Sequence, residues 1–132
     1  MTTRAAVTEW LAEYERAWRT AGTRGLDQLF TPDASYQLDP YEPPIEGLRQ
    51  IAAMWERERE GPDEHFTMDS AIVALDGDTA VVRLEVRYKD PPPREYRDLW
   101  ILEFDPAGRC RCFEEWPFWP KRPRVDPDAS HP

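Results

Sequence analysis

The residues of this chain best placed to do chemistry are acids, and the most unusual of them is Asp98. In "REYRDLWILEF" it alternates in step with Tyr96, Trp100, Leu102 and Phe104, so a strand would carry it on its apolar face. An aspartate there is costly unless it is paired. The next segment, "RCRCFEEW", supplies the partner as Glu114 or Glu115. If Phe104 and Arg109 flank a four-residue turn, Asp98 faces Glu115 and Trp100 faces Phe113; a three-residue loop with a bulge at Gly108 instead turns Trp100 toward Glu114. Two carboxylates across paired strands stand about 5 Å apart at Cβ, and repulsion in an apolar surround raises the pKa of one of them. A proton donor then stands beside a proton acceptor at neutral pH.

Other side chains offer supporting chemistry, each with a plainer alternative. Tyr14 has the hydroxyl of an oxyanion donor, or of an ordinary core tyrosine. Asp39 precedes Pro40, as a base or as the start of an Asp-Pro turn. His65 offers an imidazole as general base or as a surface residue at a strand start. Trp18, Tyr36, Trp55, Trp100 and Phe113 supply walls for a planar apolar ligand, or core contacts. Cys110 and Cys112 alternate on one strand and read as small buried residues rather than a zinc or redox pair. With no metal-ligand cluster, glycine-rich phosphate loop or Gly-x-Ser-x-Gly elbow, the chemistry expected is cofactor-free acid and base work on a small molecule.

These residues need a scaffold, and 132 residues suffice for one domain with a real core. The formal net charge of −9 repels phosphate backbones, which argues against nucleic acid and anionic membranes as partners. "MTTRAAVTEWLAEYERAW" has no signal-peptide core, and no run approaches the roughly 20 apolar residues of a membrane span. A cytoplasmic protein is the expectation.

Val7, Trp10, Leu11, Tyr14, Ala17 and Trp18 recur at helical spacing, which predicts a first helix. "GLDQLF" predicts a short second one closed by "TPD", and Leu48, Ile51, Ala52 and Trp55 a third that stops at Gly61-Pro62. "ASYQLDPYEPPIEG" reads as an edge strand or a strand running into a loop. From residue 64 the period is two, with Ala80, Val82, Leu84, Val86 and Tyr88 on one face of "TAVVRLEVRYK". A turn at Asp76-Gly77 would place Asp69 opposite Leu84 and His65 opposite Tyr88, so that His65, Thr67 and Asp69 share the inner face. The domain is expected over 1–119, with a proline-rich tail at 120–132.

The succession "EYERAWRTAGTRGLDQLFTPDASY", "IEGLRQIAAMW", "DGDTAVVRLEVRY", "DLWILEFDPAGRCRCFEEW" resembles the NTF2-like, or SnoaL-like, superfamily over about residues 5 to 119. The resemblance implies an α+β cone, three N-terminal helices packed on a strongly curved, mixed but mainly antiparallel sheet, with homodimers formed through the sheet's outer face. It implies a pocket for a small apolar molecule, as in ketosteroid isomerase, polyketide cyclases, limonene-epoxide hydrolase and dehydratases, or a non-catalytic binding or protein-interaction domain. Tyr14 and Asp39-Pro40 are similar to the isomerase's first-helix tyrosine and its base, while Asp98 lies two residues before the place of its strand acid. Glu115 matches an acid of the hydrolases and cyclases, which favours the register with Phe113 and Glu115 inward.

Overall fold

Thr3 opens the first helix by accepting a hydrogen bond from the Ala6 N–H at 3.1 Å, and α1 (Arg4–Arg19) buries Val7, Trp10, Leu11 and Tyr14 along one stripe. Its C-terminal end is held by Arg59, whose buried guanidinium donates to the carbonyls of Ala17, Thr20 and Gly22, where a cation meets the negative end of the helix. The computed structural model describes residues 1–59 and 65–120, so the Gly61-Pro62 stop and, from position 121, the expected tail lie outside the described residues. After the short α2 (Leu26–Leu29), α3 (Leu48–Glu58) buries Ile51, Met54 and Trp55.

The described strands are β1 (Phe30–Gln37), β2 (Ile45–Glu46), β3 (Phe66–Asp76), β4 (Thr79–Tyr88), β5 (Arg94–Phe104) and β6 (Cys110–Phe118). They form one mixed sheet in the order β2-β1-β6-β5-β4-β3, antiparallel except for the parallel β1–β6 pair. The fold is thus α+β, and α3 follows the first two strands rather than preceding the sheet. Strand β1 starts earlier than expected. Pro32 lies inside it, where a helix-closing turn was expected, because the β1–β6 register is broken between Phe30 and Ser35 and needs no ladder bond there. Of the two readings of the segment after Pro32, the strand running into a loop holds, since β1 ends at Gln37, while β2 and β6 flank it so that it is not an edge strand.

Both hairpins depart from simple alternation. The β3–β4 turn is Gly77-Asp78, one residue later than expected, with Gly77 at φ 60° in the position a type II′ turn requires. A bulge at Val73, between the pairs Ile72–Val82 and Ala74–Val81, offsets the register once more. Ser70 therefore faces Leu84 and Phe66 faces Tyr88, so Phe66 and Met68 point inward while Thr67 and Asp69 are exposed. The expected inner trio of His65, Thr67 and Asp69 is overturned by this slip.

In the β5–β6 hairpin the Asp105 N–H bonds the Arg109 carbonyl at 2.8 Å around a three-residue loop, with Gly108 at φ 87°. A bulge at Arg111, where Phe104 pairs with Cys110 but Glu103 with Cys112, reverses the parity again. Cys110 and Phe113 are consequently buried and Cys112 is exposed, so the two thiols do not share a face. Trp100 pairs with Glu115, and Asp98 with Pro117.

Trp10, Phe30, Phe104 and Phe113 pack between α1 and the sheet, with ring centroids of Trp10 at 5.7, 5.6 and 6.3 Å from the other three. This packing fixes the platform beneath the polar groups. Among the described residues no helix is long and apolar enough to cross a membrane.

Candidate functional site

One end of this aromatic core opens into a cavity of about 330 Å³, lined by residues of α1, α3 and every strand from β3 to β6 as well as Tyr36 of β1. Its polar groups come from two places. Tyr14, four residues along the α1 stripe from Trp10, meets Tyr36 of β1 hydroxyl to hydroxyl at 2.8 Å. Asp98 and Glu115 come from β5 and β6, where the Arg111 bulge turns Glu115 to the same face as Asp98.

Asp98 is only 6 % exposed, and its Oδ1 is buried with no hydrogen-bond partner among the described residues. The indole N–H of Trp100 is in the same condition. Glu115 is half-buried at the cavity wall. Desolvation by burial is the largest cause of the raised pKa of both acids, which pushes Asp98 to about 6 and Glu115 to about 8. Repulsion between the two charges adds to burial at Glu115, so the two acids titrate as one unit and do not ionise together. The pair therefore holds one proton between pH of about 6 and about 8. Burial first, and for Tyr14 the charge of Glu115 next, keep the two tyrosine hydroxyls protonated well beyond that range.

The walls are aromatic. Trp100 meets Tyr14 edge-on at 4.7 Å, and Trp18 lies parallel to Tyr14 at 6.4 Å. Six of the residues expected at the site thus line the cavity: Tyr14, Trp18, Tyr36, Asp98, Trp100 and Glu115. Four do not. Phe113 and Trp55 lie behind the tyrosines, Phe113 stacked on Tyr36 at 4.2 Å and Trp55 edge-on to Tyr14 at 5.2 Å, so they set ring positions without reaching the cavity. Asp39 is exposed past the end of β1, where its carboxylate accepts from the Tyr41 N–H at 2.8 Å in a turn. The His65 side chain is 71 % exposed and contacts Asp90 at 3.1 Å.

The register ambiguity also resolves, since Glu114 faces outward and accepts from the Trp116 indole N–H at 2.8 Å. Lining residues missed in the sequence include Phe66, Met68 and Glu58. Phe66 and Met68 were hidden by the one-residue slip of β3, while Glu58 carried no signal beyond its place near the end of α3. Among the described residues no group of three or more His, Cys, Asp or Glu gathers as a metal site. A larger cleft of about 1110 Å³ runs between α1 and the segment around α2, and neither acid of the pair lines it.

The SnoaL-like domain family matches residues 7–111, a span that ends before Glu115. No curated protein sequence is significantly similar to the chain. Solved structures with a similar fold include a Mycobacterium tuberculosis protein at 13 % identity and TM-score 0.69, covering 88 % of this chain and 93 % of the other. A SnoaL-like polyketide cyclase candidate of Jannaschia sp. follows at 16 % identity and TM-score 0.65, with coverage of 83 % and 85 %. A candidate ketosteroid isomerase of Kribbella flavida has 18 % identity and TM-score 0.65, with coverage of 94 % and 82 %. At these identities the likeness is one of fold.

Proposed function

The chain belongs to the SnoaL-like family, and from that premise we propose that it is a cofactor-free acid–base enzyme that moves a proton on a small, apolar, ring-containing molecule. The observation that carries this reading is the coupled Asp98–Glu115 pair on the wall of a cavity shared with the Tyr14–Tyr36 hydroxyls. Near neutral pH, Asp98 is the acceptor and Glu115 the donor, so acid and base are present together.

In this scheme Asp98 removes a proton from a carbon beside a carbonyl. Tyr14, oriented by Tyr36, and protonated Glu115 donate hydrogen bonds to the oxygen on which negative charge develops. Asp98 then returns the proton to another carbon of the conjugated system, and the substrate leaves isomerised with no atom gained or lost. Aldol-type cyclisation, dehydration and epoxide opening would draw on the same donors and acceptor. Asp39 and His65 have no part in it. A sheet curved into a cone around the cavity, pairing of two copies through its outer face, and a cytoplasmic location complete the proposal.

The test is turnover of a β,γ-unsaturated cyclic ketone, followed by absorbance of the conjugated product. Asp98→Asn is expected to reduce kcat by about 10²- to 10⁴-fold, the usual contribution of a positioned base. Binding of the ketone by the wild-type protein without turnover above the solution rate would overturn the enzymatic reading.

A further inference from the structure

Three carboxylates line the cavity, and one of them is placed against its own local interest. Glu58 is the last residue of α3, where the helix already presents the negative ends of its carbonyls, so a carboxylate there weakens the helix. The neighbouring Arg59 does not answer it, since that guanidinium is spent on the carbonyls of Thr20 and Gly22 and reaches Glu56 at 3.4 Å. The charge of Glu58 is instead felt inside the cavity, where after burial and Asp98 it raises the pKa of Glu115. Asp98, Glu115 and Glu58 thus give the cavity a negative wall facing aromatic rings. The other titratable or charged groups that line it are Tyr14 of α1, Tyr36 of β1, Tyr88 of β4, and Arg94 and Tyr96 of β5.

We propose that this cavity takes a ring-bearing organic ammonium, with the ring among Trp18, Tyr14 and Trp100 and the cationic nitrogen between Glu58 and the Asp98–Glu115 pair. This rests on the small-molecule reading of the cavity and adds the charge of the substrate. An ammonium suits both kinds of wall, because aromatic faces attract a cation through their quadrupole and carboxylates through their charge, and both attractions grow where water is scarce. A carboxylate ligand would meet like charge here, and a wholly apolar one would take water from the acids without replacing it. Arg94 is held over the Tyr88 ring, 4.5 Å from its centroid, and is no part of the seat. The assignment also fits the proton transfer. A cation near the reacting carbon offsets the negative charge that develops when Asp98 takes the proton, while the carbonyl oxygen keeps Tyr14 as its donor.

The experiment compares 2-phenylethylamine, 2-phenylethanol and phenylacetate by calorimetry at neutral pH and low salt, where the amine carries its proton. The amine is expected to bind wild-type protein about tenfold tighter than the alcohol, and phenylacetate weakest of the three, with the advantage of the amine shrinking as salt is added. Binding of the amine should also release protons, read as a buffer-dependent heat, because a cation draws the acid pair toward its doubly ionised form. Glu58→Gln, at an exposed helix end where an amide suits the dipole better, should fold as the wild type does. It should cut the advantage of the amine about threefold and leave the affinity for the alcohol unchanged. Binding of the alcohol as tight as that of the amine overturns the inference and leaves the small-molecule reading standing. So does an advantage undiminished by Glu58→Gln, or amine binding without proton release. Failure of all three probes to bind overturns the small-molecule reading together with the inference, which tells the two failures apart.

Discussion

The β3–β4 and β5–β6 hairpins are built alike, each a long antiparallel pair with a glycine in the turn and one bulge, yet only one of them delivers acids to the cavity. In β3 the turn at Gly77-Asp78 and the bulge at Val73 leave Asp69 exposed and set Phe66 and Met68 inward. In β6 the three-residue loop and the bulge at Arg111 bring Glu115 onto the face of Asp98. A single inserted residue thus decides whether a carboxylate meets water or another carboxylate. The energetic consequence is large only in the second hairpin, where burial raises both pKa values.

The largest expected break in this comparison is Phe113→Ala. Phe113 is 1 % exposed and packs between Tyr14, Tyr36, Trp100 and Phe30, so its truncation should cost about 3–5 kcal/mol in urea unfolding. Val73→Ala at the corresponding exposed bulge should stay within about 0.5 kcal/mol. Comparable losses at the two sites would mean that the β6 bulge does not seat a core.

The second expectation concerns pH. Asp98 and Glu115 have raised folded-state pKa values, so their effect on stability is most favourable below the ordinary carboxylate range. Stability should fall as pH rises from about 4 through about 8, as first one and then both charges are forced on the buried pair. The slope should be about 1.4 kcal/mol per pH unit for each proton that the folded pair keeps and the unfolded chain has lost. Glu115→Gln removes the larger part of that slope and should stabilise the protein at pH of about 9 relative to wild type. A wild-type denaturation profile that is flat, or that rises over this range, would contradict the pairing.

How much of this was legible in the sequence follows from the same contrast. The α1 stripe and the alternation of β4 were readable because each is a long, uninterrupted period, and Asp98 was readable because β5 carries no bulge of its own. Asp69 was misplaced because Ala71 to Leu75 is an unbroken apolar run, in which parity cannot be followed and the Val73 bulge is hidden. Glu114 and Glu115 stayed undecided because two parity reversals, at Gly108 and Arg111, cancel, and their sum is a property of pairing rather than of composition. Pro32 argued for a turn, and only the broken β1–β6 register lets a strand pass through it. Asp39 looked chemical because Asp-Pro serves both a base and a turn, and the turn took it.

Smaller effects sharpen the roles. Tyr36→Phe removes the 2.8 Å bond to Tyr14 and should cost about 1 kcal/mol in stability, with Tyr14 less firmly oriented. The loss should appear in kcat of the ketone reaction more than in KM. Smaller still, Asp39→Ala and His65→Ala should each leave turnover within about twofold, since neither lines the cavity. A large loss from Asp39→Ala would restore it as a base.

The shared proton of Asp98 and Glu115 is measured most directly by carbon-13 NMR titration of the side-chain carboxyls, assigned with Asp98→Asn and Glu115→Gln. Two signals titrating at about 6 and about 8, with each variant shifting the signal that remains, are the expected result. If no carboxyl titrates above the ordinary range, the acids are solvated and unpaired, and the acid–base reading of the cavity fails.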